Sequence, residues 1–264
     1  MNIEKASRNG ALLVALFIST VIAILFVAPI SQDLAYHGFA DRRGFLGVAN
    51  FGDSVSNFGF ALVGCLGLWS IFGPGGRLVM TQADARPYIT FFFGVVFVSI
   101  GSVYYHLAPD NDRLFWDRLP MTIAFMAIFY AILEDRLEIV AKRMRWLLPV
   151  MIALGASSLL YWDWTEQMGR GDLRFYALVQ FFPILALPII CWLFPTARYT
   201  GGGYIFWIIF WYALAKALEY FDAQIFEILG SVVSGHSLKH MASAVATFMV
   251  WRMLARNAKS TPGK

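Results

Sequence analysis

Three of the four histidines in this chain are spaced so that they could share one ion. His236 and His240 are four residues apart, so on a helix both imidazoles project from one face, about a turn from each other. Such a pair can hold a metal ion, and His106 from another segment supplies a third ligand. Three neutral imidazoles with one position left open form the ligand set of catalytic zinc, which lowers the pKa of its bound water to about 7. Ser102 precedes His106 by four residues and places a hydroxyl on the same face. Asp117 follows His106 by eleven residues, room for a tight loop that turns its carboxylate back to the site. A lone H-x-x-x-H arises often by chance, and histidines inside membranes also serve as hydrogen-bonding glue between helices. What weighs against both readings is convergence, which depends on the elements that carry these residues.

Those elements are membrane helices. The chain has 264 residues, 59% hydrophobic and 14% charged, where soluble domains run near about 25% charged. This excludes a disordered chain, a collagen-like repeat and an ordinary soluble enzyme. Cys65 and Cys191 lie in apolar runs and cannot build a disulfide framework. The net charge of +4 reflects basic cytoplasmic loops rather than nucleic-acid binding. The expected fold is all-α, a polytopic membrane protein forming a single transmembrane domain over residues 1–264.

A bilayer core needs about 20 apolar residues per helix. Eight spans answer to that length: 11–30, 51–72, 88–107, 119–133, 146–162, 175–194, 204–221 and 235–254. Breakers separate them, among them Gly73-Pro74-Gly75-Gly76, Pro109-Asp110-Asn111-Asp112 and Gly201-Gly202-Gly203. Pro120 is placed in the first turn of the fourth span, where its missing N–H costs nothing. The first span exceeds the length of a signal-peptide core and is expected to be a retained anchor. Eight spans put both termini on one side. That side holds thirteen of the 21 Lys and Arg residues, Arg77, Lys259 and Lys264 among them, against six opposite, with Lys216 and Lys239 inside helices. The termini are therefore expected in the cytoplasm. His106 then closes the outward third span, His236 and His240 open the inward eighth, and Asp117 stands just before the fourth. All four fall near the non-cytoplasmic face, where ionisable groups inside a membrane mark function.

Two further groups carry candidates. Lys216, Glu219 and Asp222 follow at i, i+3 and i+6 near the outer end of the seventh span, with Lys239 between the two histidines of the eighth. The acids could accept imidazole N–H groups behind the metal, or simply balance the lysines. An outer loop, Tyr36-His37-Gly38-Phe39-Ala40-Asp41-Arg42-Arg43, leads to Asn50, Asp53, Ser54, Ser56 and Asn57. Its oxygens could hold a hard cation or a substrate head group, or cap the following helix. Trp162, Trp164, Trp192, Trp207 and Trp211 near span ends read as an interfacial belt.

The run Gly101-Ser102-Val103-Tyr104-Tyr105-His106, then Asp117-Arg118-Leu119-Pro120-Met121, resembles the signature of the alkaline ceramidases. Asn50-Phe51 through Val55-Ser56-Asn57 is similar to the segment entering that family's first core helix, and Gly235-His236 with His240 to its last. The likeness runs over residues 50–255, and the wider superfamily includes the progestin and adiponectin receptor-like proteins. It implies a seven-helix core over 51–254, an added N-terminal span at 11–30, and a zinc-dependent amidase that cleaves the N-acyl bond of ceramide to a fatty acid and a sphingoid base. His106, His236 and His240 would then hold Zn2+, Ser102 would stabilise the oxyanion and Asp117 would shuttle the proton, with Asn50, Asp53, Asn57, Glu219 and Asp222 as supporting or substrate-contacting candidates. The alternative on the same scaffold is a non-catalytic lipid receptor or transporter. The D-W-x-E-type acidic run of eukaryotic members is missing, which argues against calcium and for a prokaryotic-type member acting on another N-acyl lipid. The expected partner is a membrane lipid, with no nucleic acid, and the expected location a bacterial inner membrane rather than the ER or Golgi, with the site toward the non-cytoplasmic face.

Overall fold

A computed structural model describes residues 3–74, 78 and 80–258. Arg77, Lys259 and Lys264, counted above for orientation, and Gly75 and Gly76 lie outside the described residues. The helices are α1 (Ile3–Leu25), α2 (Phe51–Ser56), α3 (Phe58–Phe72), α4 (Gln82–Leu107), α5 (Asn111–Arg136), α6 (Glu138–Arg143), α7 (Leu147–Gln167), α8 (Arg174–Leu193), α9 (Gly202–Tyr220), α10 (Asp222–Ile228) and α11 (Gly235–Ala258). A short 3-10 turn, Leu34–His37, interrupts the long α1–α2 connection. Among the described residues there is no strand, only an isolated bridge between Phe45 and Val48. The chain is an all-α, multi-pass membrane protein.

Six of these helices, among the described residues, are long and apolar enough to cross a bilayer, counting α2 and α3 as one span across Asn57. A seventh is gained if α9 and α10, bent by 80°, count together. The eighth expected span, α11, has the length at 24 residues but carries His236, Lys239 and His240 in its first turns and Arg252 and Arg256 near its end. Its polarity is that of a helix buried among others.

α4 and α5 form the centre, with α3 against α4, α7 and α8 against α5, and α11 between α9 and α3. Small residues permit the close approaches, as in membrane bundles generally. Gly101 matters most: a Cβ there would collide with the carbonyl oxygen of Trp116 and crowd Cα of Asp117. α1 rests on α8, where Asn9 Nδ2 donates to the Leu193 carbonyl at 2.8 Å and Phe17 meets Phe182 edge-on at 5.3 Å.

Several boundaries differ from expectation. The first helix covers Ile3–Leu25 rather than 11–30, because the chain turns at residues 26 and 27 and residues 28–30 already belong to the α1–α2 loop. The fourth span begins at Asn111, with Asp110 as its N-cap accepting from the Arg113 amide at 2.7 Å. Asp117 therefore lies within a helix, not ahead of one, and Pro120 sits inside α5 rather than in its first turn. Being proline, it leaves the Trp116 carbonyl without the usual i+4 donor. That carbonyl is the one packed against Gly101. Trp162 is fully buried and does not belong to the interfacial belt; Trp164, Trp192 and Trp207 are exposed.

Candidate metal centre

The last turn of α4 delivers His106, and the first turns of α11 deliver His236 and His240. All three are buried, and one ligand nitrogen from each lies within 4.8 Å of the other two. The three ring centroids are each 4.9 Å apart, an equilateral arrangement. Both nitrogens of His106 and Nε2 of His236 are buried without a hydrogen-bond partner. A neutral imidazole has one donor and one acceptor, and leaving them unused in a buried place is costly. An ion among the three rings removes that cost for the acceptor nitrogens, and three imidazoles suit zinc at about 2.0–2.1 Å per bond.

The surroundings hold each histidine in place. The His106 carbonyl, among the last of α4 and without an intrahelical donor, accepts from Asn50 Nδ2 at 2.7 Å. Asn50 reaches it from a left-handed backbone conformation, φ 44°, which asparagine tolerates. At the start of α11, Asp222 accepts the His236 amide at 2.7 Å with one oxygen and the Ala40 amide at 2.9 Å with the other. Ser234 accepts the Ser237 amide at 2.9 Å, and the hydroxyls of Ser234 and Ser237 both donate to Asp53 Oδ1, at 2.9 and 2.7 Å. Asp53 and Asp222 thus put negative charge at the positive end of α11. Asn57 donates to the Asp53 carbonyl at 2.7 Å.

One hydrogen bond assigns a tautomer. Ser56 Oγ donates to the Asp53 carbonyl at 3.0 Å, so its lone pairs face His240 Nδ1 at 2.8 Å. His240 Nδ1 then carries the proton, and Nε2 is left as the nitrogen with a free lone pair.

Ser102, Asp117 and His240 line one cavity of about 230 Å³. The Ser102 hydroxyl faces the Asp117 carboxylate as a hydrogen-bonding partner. The cavity continues along the bundle past Val98, Val95 and Phe91 of α4 and Ala246 and Val250 of α11, an apolar bore about 16 Å long at the helical rise. Its polar end holds Glu219, which takes both lysines: Lys216 Nζ at 2.8 Å and Lys239 Nζ at 2.7 Å. Neither Glu219 nor Asp222 accepts an imidazole N–H. Asp222 also opens α10, past the 80° bend, and so does not continue the α9 face that bears Lys216 and Glu219.

The α1–α2 loop lies across the centre. The ring of Phe39 lies tilted against two of the histidines, its centroid 4.7 Å from that of His106 and 4.5 Å from that of His236. His37 bridges Tyr105 Oη at 2.8 Å and Asn111 Oδ1 at 3.0 Å, and Tyr36 donates to Glu219 at 3.1 Å. Burial, reinforced by Glu219, raises the Tyr36 phenol above its ordinary pKa, which keeps it a neutral donor. Arg43 pairs with Asp41 at 2.8 Å and donates to the Val232 carbonyl at 2.8 Å. The Arg43 hydrogen bond holds the Asp41 carboxyl below the usual range. The loop oxygens therefore tie backbone and arginine.

Phe39 and Arg118 line this centre with no role assigned to them from sequence, and Ser56, expected there only as one of several loop oxygens, locks His240. Ser56 lay inside a segment already under suspicion, and Arg118 beside Asp117. A phenylalanine in a polar loop offers no signal of its own.

A family model described as Ceramidase matches residues 46–263. The match begins after α1 and most of the α1–α2 loop. Among curated proteins no sequence matches the chain.

Proposed function

The chain belongs to the ceramidase family, and from that premise we propose that it is a zinc-dependent amidohydrolase, embedded in the membrane, that splits the N-acyl bond of ceramide or a related N-acyl lipid. The observation that carries this reading is the triangle of buried histidines with unpartnered nitrogens, whose member His240 shares a cavity with Ser102 and Asp117. His106, His236 and His240 would hold the ion. Zinc bound there would supply a Lewis acid and a water acidified to near neutrality.

The chain's own groups divide the remaining work. The apolar bore between α4 and α11 receives the acyl chain and brings the amide carbonyl to the level of Ser102 and Asp117. Ser102, turning from Asp117, donates to the carbonyl oxygen as negative charge gathers on it. Asp117 accepts the proton of the attacking water and returns it to the nitrogen as the C–N bond breaks, so that amide plus water yields fatty acid plus amine. Phe39 covers the rings and keeps bulk water from them. Residues 51–254 would constitute the seven-helix ceramidase-type core, with the N-terminal span, found here as α1, as an addition. The count of basic residues favours cytoplasmic termini and a centre at the opposite face, at head-group depth.

The test is product analysis. Purified protein incubated with a panel of N-acyl lipids should release free fatty acid and amine in equal amounts. Saturable lipid binding with no release of either would assign the scaffold to a receptor or transporter instead.

A further inference from the structure

Arg118 is buried within α5, one residue after Asp117, and lines the same cavity. Its guanidinium is caged by aromatic faces: Trp162 and Tyr176 at 4.9 Å and Tyr36 at 5.4 Å. The rings favour a cation but neutralise no charge. Nη1 is buried without a hydrogen-bond partner, and among the described residues no carboxylate stands within ion-pair distance of this guanidinium. Glu219 is already shared by Lys216 and Lys239. Around the cavity, three basic side chains, Arg118, Lys216 and Lys239, therefore face two carboxyl groups, Asp117 and Glu219, and of the three only the arginine is always charged. An uncompensated charge in a low-dielectric place calls for a counter-charge.

We propose that Arg118 is a recognition site for an oxyanion on the head-group half of an N-acyl lipid, which makes an anionic N-acyl lipid the preferred substrate class of this chain. The inference rests on the amidohydrolase reading for the word substrate, though not for the binding itself. Position favours the head-group half. The apolar bore leaves Ser102 and Asp117 toward Phe91 and Val250, whereas the cage around Arg118 comes from the 3-10 turn, the later part of α7 and the start of α8. An acyl chain in the bore sends its amine half toward Arg118. The fork of a guanidinium matches a carboxylate, phosphate or sulfonate through charge-assisted hydrogen bonds.

The experiment uses 4-oxopentadecanoate, an N-dodecanoylglycine in which a methylene replaces the amide nitrogen, so that no hydrolysis can occur. Its affinity for the full-length protein in detergent is compared with that of its methyl ester, and laurate is compared with methyl laurate. The proposal expects the 4-oxo acid to bind tenfold or more tighter than its ester, a gap that collapses to near unity in Arg118→Gln and is partly kept in Arg118→Lys. Equal binding of acid and ester by the unsubstituted protein would overturn the proposal without any variant having to fold. So would a gap that persists in Arg118→Gln. An Arg118-dependent gap confined to laurate would place the anion on the fatty-acid product and overturn the head-group assignment. Because the probe is not cleaved, loss of the hydrolase reading would leave this result standing, and the reverse.

Discussion

The Ser56 hydroxyl stands 2.8 Å from His240 Nδ1 while donating to the Asp53 carbonyl. One serine on α2 therefore sets which nitrogen of a histidine on α11 is free to bind. Ser56→Ala should leave the fold intact and weaken metal affinity about 10–100-fold, as for other groups that orient metal-bound imidazoles. Competition with a chelator of known affinity measures this; unchanged retention would show that the tautomer is fixed otherwise.

Ser102 and Asp117 should separate binding from turnover. Asp117→Asn, which keeps shape but not basicity, should lower kcat by about 10²–10⁴. Ser102→Ala should lower it by about 10²–10³. Both variants should retain metal. Steady-state kinetics beside metal content on the same preparations check the pair, and loss of metal in either would make that residue a structural part of the ion site.

Gly101 lets α4 meet the Trp116 carbonyl of α5. Gly101→Ala should cost about 1–3 kcal/mol through overpacking. It should also displace Asp117 from Ser102, so a lower melting temperature and lower turnover should appear together.

The Asp41–Arg43 pair tethers the α1–α2 loop. Arg43 holds the Asp41 carboxyl below its ordinary value, so the folded pKa lies under the unfolded one. The stabilisation is then fully present above the unfolded value and lost as pH falls through the folded one. Asp41→Asn should lower thermal stability by a constant amount between pH 5 and 8, and the difference should shrink only below about pH 4. Melting curves of both proteins across pH decide it.

The helical segments were legible because a bilayer demands about 20 apolar residues for each crossing, and that demand leaves a plain trace in hydropathy. His236 and His240 were legible for a related reason: polar groups inside such a segment stand out. The start of α5 was not. Its first turn, Asn111-Asp112-Arg113, is polar and reads as loop, although Asp110 caps it. Asp117 consequently arrives on a helix instead of a returning loop, and Pro120 acquires a different part, freeing the carbonyl that Gly101 accommodates. The two acids near α9 show the limit of spacing arguments. Glu219 and Asp222 fit the i, i+3 pattern, but the 80° bend at Phe221 parts them, one serving two lysines and the other two backbone amides. Phe39 and the Arg118 cage come from loop-to-helix packing, which no periodicity records.

Metal content tests the centre most directly. Protein purified without chelator should carry about one zinc per chain, and His236→Ala/His240→Ala should carry none while remaining folded and monodisperse. A folded double variant with the full zinc content of the unsubstituted chain would contradict the three-histidine centre on which this account stands.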